Sequence, residues 1–454
     1  MSQRGQNAVV CGASMAGLLA ARVLSDFYGS ITVVERDVLP EKAIQRRGVP
    51  QGKHLHQLLS RGSLVLGELL PGLFDDLVAA GANVIDDPAM VYMRVGEHVL
   101  VQHGEFATPQ VVHSVSRPLL EAHVRRRVQA IENVTFLDGH DVVEPIVGHA
   151  DRVTAVRVVS RETRQERVLD TDLVVDATGR SARTPAFLKA CGYPKPAEQS
   201  YSVKLNYASQ FLRVPHGLLT EKAVAVAPTI QRSTGAGLFA YEDDTVILTL
   251  IGVAGRALPT DLPGLLSAAA ELLPSRMTAA LRAAEPLGDV SGQHYPESVW
   301  HRYDKLDRFP KGLLVIGDAV CSFNPVYGQG MTSAAMQANV LRHCLTETDE
   351  DLSRRYFRTV AKKLLPVWQA NRFNDFCVSP ADDWRSAPQR LSNWLTGKVM
   401  AAAADDIHVT EAFMRMLQLL DPPSRLLRPS LLRRVVIGNR RNPQTTKVTN
   451  SPSP

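Results

Sequence analysis

Gly12-Ala13-Ser14-Met15-Ala16-Gly17 lies between an apolar run, Ala8–Cys11, and a helical pattern, Leu18–Leu24, and Glu35 closes the next apolar run, Ile31–Val34. In a strand–turn–helix–strand unit, Gly12 allows the tight turn and Gly17 lets the helix pack closely on the strand. The helix N-terminus offers unpaired N–H groups and a positive dipole to a pyrophosphate, while Glu35 can accept hydrogen bonds from a ribose. Ser14 stands where the G-x-G-x-x-G pattern has its middle glycine. On this motif alone a dinucleotide turn and an ordinary strand–helix joint are evenly matched.

A second constellation, Val174-Val175-Asp176-Ala177-Thr178-Gly179-Arg180, ends an apolar strand in a small-residue turn; it suits a bound cofactor or a plain strand end equally. The third runs from Gly317-Asp318 through Pro325, Gly328, Gly330 and Met331, directly after the apolar Leu313–Ile316 and directly before a helix over 332–345. There an acid at a strand end can bind sugar hydroxyls, and a glycine-flanked turn lets a planar ligand lie against bare backbone at a helix N-terminus.

With the three motifs in this order, the chain resembles single-component FAD-dependent monooxygenases of the p-hydroxybenzoate hydroxylase-like superfamily over roughly residues 7–375. The resemblance implies that Gly12, Ser14, Gly17, Glu35 and Arg36 hold the ADP half of FAD. It places Gly317, Asp318, Pro325, Gly328, Gly330 and Met331 on the ribityl and flavin side, with Arg47, Arg117 and Gly179 nearby. Ala177-Thr178-Gly179 replaces the Ala-Asp-Gly of many aromatic hydroxylases and is similar to the branch of epoxidases, halogenases and prenyl-chain reductases. The Trp-x-Trp-x-Ile-Pro signature of tryptophan-type halogenases is absent, Trp300 being followed by His301-Arg302-Tyr303. Gly48–His56 resembles a loop of bacterial polyene epoxidases of polyether biosynthesis.

The implied activity takes hydride from NADPH or NADH as a transient co-substrate. It reacts with O2 through a C4a-hydroperoxide and epoxidises or hydroxylates an apolar unsaturated or aromatic small molecule. Two other readings stand beside it: an FAD-dependent reductase or dehydrogenase of a prenyl or polyene substrate, and a non-enzymatic nucleotide-sensing protein. No acid, base or nucleophile is uniquely demanded as a catalytic residue. His54 and His56 lack a third ligand nearby, so no metal is expected; a cofactor-adjacent or local packing role fits them better.

Positioning these motifs requires an α/β fold, α+β overall. The expected architecture is a Rossmann-like FAD-binding domain with an inserted antiparallel-sheet substrate domain and C-terminal helices. The expected FAD-binding parts are residues 1–83, 115–190 and 299–375, and the substrate domain comprises strands in 84–114 and the sheet in 191–298. A helical region over 376–441 and a disordered tail over 442–454 follow. A helix is read over 63–80, another after the N-cap Ser116, and a small meander at Val153–Val159 and Arg167–Leu169. Pro380, Pro388 and Pro422-Pro423 interrupt the helical C-terminal region.

At 454 residues, 45% hydrophobic and 21% charged, the chain can bury a sizeable core, which excludes global disorder. Lys and Arg number 51 against 46 acids, but before Pro422 the balance is 44 against 46, so the basicity belongs to the tail and nucleic acid is not expected as a partner. Leucines and arginines over 424–437 could meet a membrane surface peripherally, although a helical cap is the favoured reading. Five widely spaced cysteines and no long apolar run suggest a reducing, cytoplasmic compartment. The oligomeric state is left open.

Overall fold

A computed structural model describes residues 3–229, 231–347, 351–378 and 387–441, so the expected disordered tail and the interruption at Pro380 lie outside the described residues. The chain divides into two compact units. The first comprises Met1–Asn83, Val115–Lys204 and His294–Arg372; the second comprises Val84–Ser114, Leu205–Gln293 and Phe373–Pro454.

The first unit is built on a parallel sheet. Its elements in chain order are β1 (Gly5–Cys11), α1 (Met15–Leu24), β2 (Tyr28–Val34), α2 (Arg117–Gln129), β3 (Val134–Leu137), β4 (Leu173–Asp176), β5 (Leu313–Val315) and α3 (Gly330–Thr346). The strand order is β5-β4-β1-β2-β3, with Val9 opposite Val174 and Val174 opposite Leu313. β1 is therefore central and covered on both faces, which is why Ala8–Cys11 is a continuous apolar run. Alternate residues divide between two cores. Ala8 and Val10 face the buried side of α1, whereas Val9 and Cys11 join Val153, Val156 and Val158 of an antiparallel meander.

That meander has three strands, His140–Val147, Val153–Ser160 and Glu166–Asp170, one more than the sequence suggested. Glu144-Pro145 obscures the first strand. Pro145 is tolerated because its strand is at the edge, and the pairing register slips between Val142 and Glu144. The helix expected over 63–80 is two helices, Ser60–Leu69 and Leu73–Ala79, separated where Pro71 cannot donate to a helical ladder. Ser116 caps α2 as its sequence suggested, its hydroxyl accepting the Leu119 N–H at 3.3 Å.

In the second unit, Ala223–Val226, Thr234–Ala240, Thr245–Gly252 and residues 206–213 form consecutive antiparallel pairs, Val91–Val95 pairs in parallel with Ala223–Val226, and His98–Val99 lies antiparallel beyond it at the edge. Helices Leu262–Ala270 and Ser275–Arg282 cover this sheet with Leu265, Ala269, Met277 and Leu281. The C-terminal helices Ala387–Ala403, Ile407–Leu417 and Pro429–Arg441 belong to the same unit. They pack Met400, Val409, Phe413 and Val435 around Leu100. Pro388 lies in the first turn of its helix, where a missing N–H costs little, rather than interrupting it. Among the described residues no helix is long and apolar enough to cross a membrane.

Candidate functional site

The turn from β1 to α1 is built for close backbone approach. Gly12 adopts φ +108°, and a Cβ there would meet the Ala177 carbonyl oxygen at 2.7 Å. A Cβ on Gly17 would stand only 1.8 Å from the Gly12 carbonyl oxygen, so the first turn of α1 rests directly on the strand end. The N–H groups of that turn have no intrahelical acceptors and carry the positive end of the helix dipole.

Ser14, in the place of the middle glycine, is extended and caps no amide of α1. Its hydroxyl instead accepts from Arg117 Nη2 at 2.8 Å and lies 3.4 Å from Glu121 Oε2. Arg117 Nε is buried and has no hydrogen-bond acceptor among the described residues. One cationic donor left unused beside a helix N-terminus and a hydroxyl is the donor set that a pyrophosphate completes. The residues present therefore fit a dinucleotide.

Glu35 is buried and already engaged: Oε2 accepts the Ala13 N–H at 2.8 Å and Oε1 the Asp37 N–H at 3.0 Å. Each carboxylate oxygen retains accepting capacity for a ribose hydroxyl. Of the three arginines singled out in the sequence, Arg117 is half-buried at the turn, whereas Arg36 and Arg47 are exposed.

The arginine that sequence reading passed over is Arg46. It is buried, with Nε donating to Glu121 Oε1 at 2.7 Å, Nη1 to Asp37 at 3.2 Å and Nη2 to the Ala13 carbonyl at 3.2 Å. Burial alone would lower its pKa, but Glu121, Glu35 and Asp37 hold it above the ordinary guanidinium value. Glu121, also missed, is one helical turn from both Arg117 and Arg125, and that i,i+4 spacing was the available signal.

On the other side, Gly317 is held between α1 and α3. Its N–H donates to Gln337 Oε1 at 2.8 Å, and a Cβ there would meet Ala16 Cβ at 2.7 Å. Asp318 follows, half-buried. Burial raises its pKa above the usual carboxylate range, while the charges of Arg180 and Arg117 pull it partly back. Arg180 lies over the Tyr295 ring at 4.3 Å, and the Tyr295 hydroxyl donates to the Phe323 carbonyl at 2.8 Å. Burial pushes the Tyr295 phenol up to about 12, so it stays protonated.

Pro325 opens a short turn to Tyr327, and Gly328 donates back to the Pro325 carbonyl at 3.0 Å. Gly330 begins α3 with room at its Cα, the nearest atom to a Cβ being Asp318 Oδ1 at 3.9 Å. Met331 points into the core, so only its backbone is available to a ligand. Gly179 faces open space, while the Thr178 hydroxyl donates to Asp176 at 2.6 Å. His54 and His56 are depressed to about 4, in each case mainly by burial, and remain neutral at physiological pH. Among the described residues no group of three or more His, Cys, Asp and Glu side chains could hold a metal ion.

No family model matches the sequence. Protein Rv3254 of Mycobacterium tuberculosis (strain ATCC 25618 / H37Rv) is 39% identical over 467 aligned residues, covering 97% of each chain. The chain belongs to the Rv3254 family. More distantly, this member is 26% identical to kynurenine 3-monooxygenase of Salinispora tropica over 76% of its own length and 74% of that protein's. The solved structure of p-nitrophenol 4-monooxygenase PnpA from Pseudomonas putida DLL-E4 superposes with a TM-score of 0.65 at 13% identity, covering 93% of this chain and 99% of that one. This chain thus shares the fold of FAD-binding monooxygenases, with its mixture of parallel and antiparallel sheets and its C-terminal helices.

Proposed function

We propose that this member of the Rv3254 family is an FAD-dependent monooxygenase that uses NADPH or NADH and O2 on an apolar unsaturated or aromatic small molecule. The observation that carries this reading is the convergence on one turn of the α1 N-terminus, the Ser14 hydroxyl, the unsatisfied Arg117 Nε and buried Glu35. The monooxygenase names of the relative and of the structural neighbour support the reaction class.

In this reading the first turn of α1, Ser14 and Arg117 hold the pyrophosphate, and Glu35 holds the adenosine ribose. Asp318, whose burial-raised pKa is pulled partly back by the charges of Arg180 and Arg117, meets the ribityl hydroxyls. The N-terminus of α3 at Gly330 would offer its dipole to negative charge on the reduced cofactor. FAD, when bound, supplies the electron transfer and oxygen activation. Ala177-Thr178-Gly179 and the Gly48–His56 loop favour an alkene as substrate, in the manner of the polyene epoxidases.

The test begins with purification and titration of apoprotein with FAD. NADPH and NADH oxidation and O2 uptake are then measured over polyenes, terpenoids and phenols. Saturable FAD binding with oxygenated product supports the proposal. Failure to bind FAD would return the chain to the sensor reading, and anaerobic saturation of a double bond without oxygenation would make it a reductase.

A further inference from the structure

Independently of the flavin reading, the second unit contains a crevice bounded by residues 85–93 and 100–112 on one side and by helix Ile407–Leu417 on the other. Its walls are apolar, formed by Ile85, Val91, Met93, Phe106 and Met414 among others. Apolar walls normally collapse onto one another unless something holds them apart. Here the spacing is fixed by polar contacts: buried Glu411 accepts the N–H groups of Ala107 at 2.9 Å and Thr108 at 3.0 Å, and Val101 donates to the Ala403 carbonyl at 3.0 Å.

Gln110 lines this crevice and is only 8% exposed. Its Nε2 is buried and has no hydrogen-bond acceptor among the described residues. A buried amide nitrogen without an acceptor is a rare arrangement in a folded protein. The neighbouring Thr410 hydroxyl is committed, donating to the Ala403 carbonyl at 2.6 Å. The exposed acids Asp86 and Asp87 also line the crevice and repel anions.

We infer that this crevice is a binding site for a neutral, largely apolar small molecule carrying one hydrogen-bond acceptor, such as a ketone or ether oxygen, which takes the Gln110 Nε2–H. Met93 and Met414 suit that role, because unbranched thioether side chains repack around ligands of different outline.

The proposal is tested on the full chain labelled at the methionine methyls, with the Met93 and Met414 signals assigned through Met93→Leu and Met414→Leu. Cyclohexanone and methylenecyclohexane, alike in shape but with and without the oxygen, serve as probes. Cyclohexanone is expected to move both signals saturably and to bind at least tenfold more tightly than the hydrocarbon. Gln110→Leu is expected to abolish that preference while leaving the remote methionine signals in place. Met414→Phe, which fills the crevice and keeps Gln110, is expected to abolish binding of both probes, and it provides a second test should Gln110→Leu fail to fold. Absence of any saturable shift, equal binding of the two probes, or a preference that survives Gln110→Leu would overturn the assignment; a crevice holding only water gives the first of these.

Discussion

Arg46 and Glu121, 75 residues apart in sequence, meet in a buried ion pair, with Arg46 Nη2 2.6 Å from Glu121 Oε1 and each side chain 4% exposed. Glu121 also lies 3.4 Å from Arg117 and 3.8 Å from Arg125. One carboxylate thus ties the long loop after β2 to helix α2 and, through Arg117, to the hydroxyl of Ser14.

Removing Arg46 takes from buried Glu121 its shortest ion pair and leaves it Arg117 at 3.4 Å and Arg125 at 3.8 Å. Arg46→Ala is therefore expected to destabilise the protein by up to about 3–5 kcal/mol, the upper end applying if those two arginines do not close in. Exposed Arg47→Ala should stay within about 0.5 kcal/mol of the parent. Urea unfolding midpoints of the two apoproteins check the contrast, and equal midpoints would show that the Arg46 network carries no stability.

This pair also shows what the sequence could and could not reveal. The turn around Gly12, the strand ending at Asp176 and the Gly317–Met331 block were readable because each depends on local chemistry: an apolar run, a small-residue turn and a helix start. Choosing between adjacent Arg46 and Arg47 depends instead on where a loop packs against a helix far along the chain, which neither periodicity nor spacing encodes. The strand His140–Val147 was hidden for a similar reason, since Pro145 argues against a strand unless its edge position is known. Gln110 carried no signal in sequence, because its importance lies in an unfilled bond.

Two glycines should respond in opposite ways. Gly17→Ala puts a methyl 1.8 Å from a carbonyl oxygen, so it is expected to cost about 3 kcal/mol or more in stability. A Cβ at Gly330 meets only Asp318 Oδ1 at 3.9 Å; Gly330→Val is expected to leave the apoprotein melting point nearly unchanged yet weaken FAD binding at least tenfold. Thermal melts paired with FAD fluorescence titration separate the two effects. Unchanged FAD affinity in Gly330→Val would remove the start of α3 from the cofactor site.

Asp318 should trade stability for affinity. A carboxyl whose folded pKa lies above its unfolded value stabilises the fold below the unfolded pKa and loses that contribution as pH rises through the folded one. Burial raises Asp318 in this way, so its ionised form opposes folding at neutral pH when no ligand is bound. Asp318→Asn is expected to raise the urea midpoint of the apoprotein at pH 7 while lowering FAD affinity by about 1.5–3 kcal/mol. A variant that binds FAD as tightly as the parent would show that Asp318 does not hold the cofactor.

His54 and His56 predict sensitivity to acid. Both are depressed to about 4, mainly by burial, so the unfolded chain takes up protons at a higher pH than the folded one. Their contribution is fully present above pH 6.5 and is lost as pH falls through the folded values, amounting to about 2–3 kcal/mol per imidazole at most. Urea midpoints between pH 7.5 and 4 should fall accordingly, and the double variant His54→Asn/His56→Asn should flatten the profile. An unchanged slope would assign the acid sensitivity to other groups.

The strand order β5-β4-β1-β2-β3 also governs how the protein is made. β1 leaves the ribosome well before the strands to one side of it: β4, its partner there, follows about 160 residues later, and β5 more than a hundred residues after that. At about 5–20 residues per second, the apolar edge of β1 waits on the order of 10–30 s for β4. During that interval it is an open template for strand addition by other nascent chains. Synthesis speed and the supply of chaperones should therefore govern the yield of soluble protein more than the stability of the finished fold does.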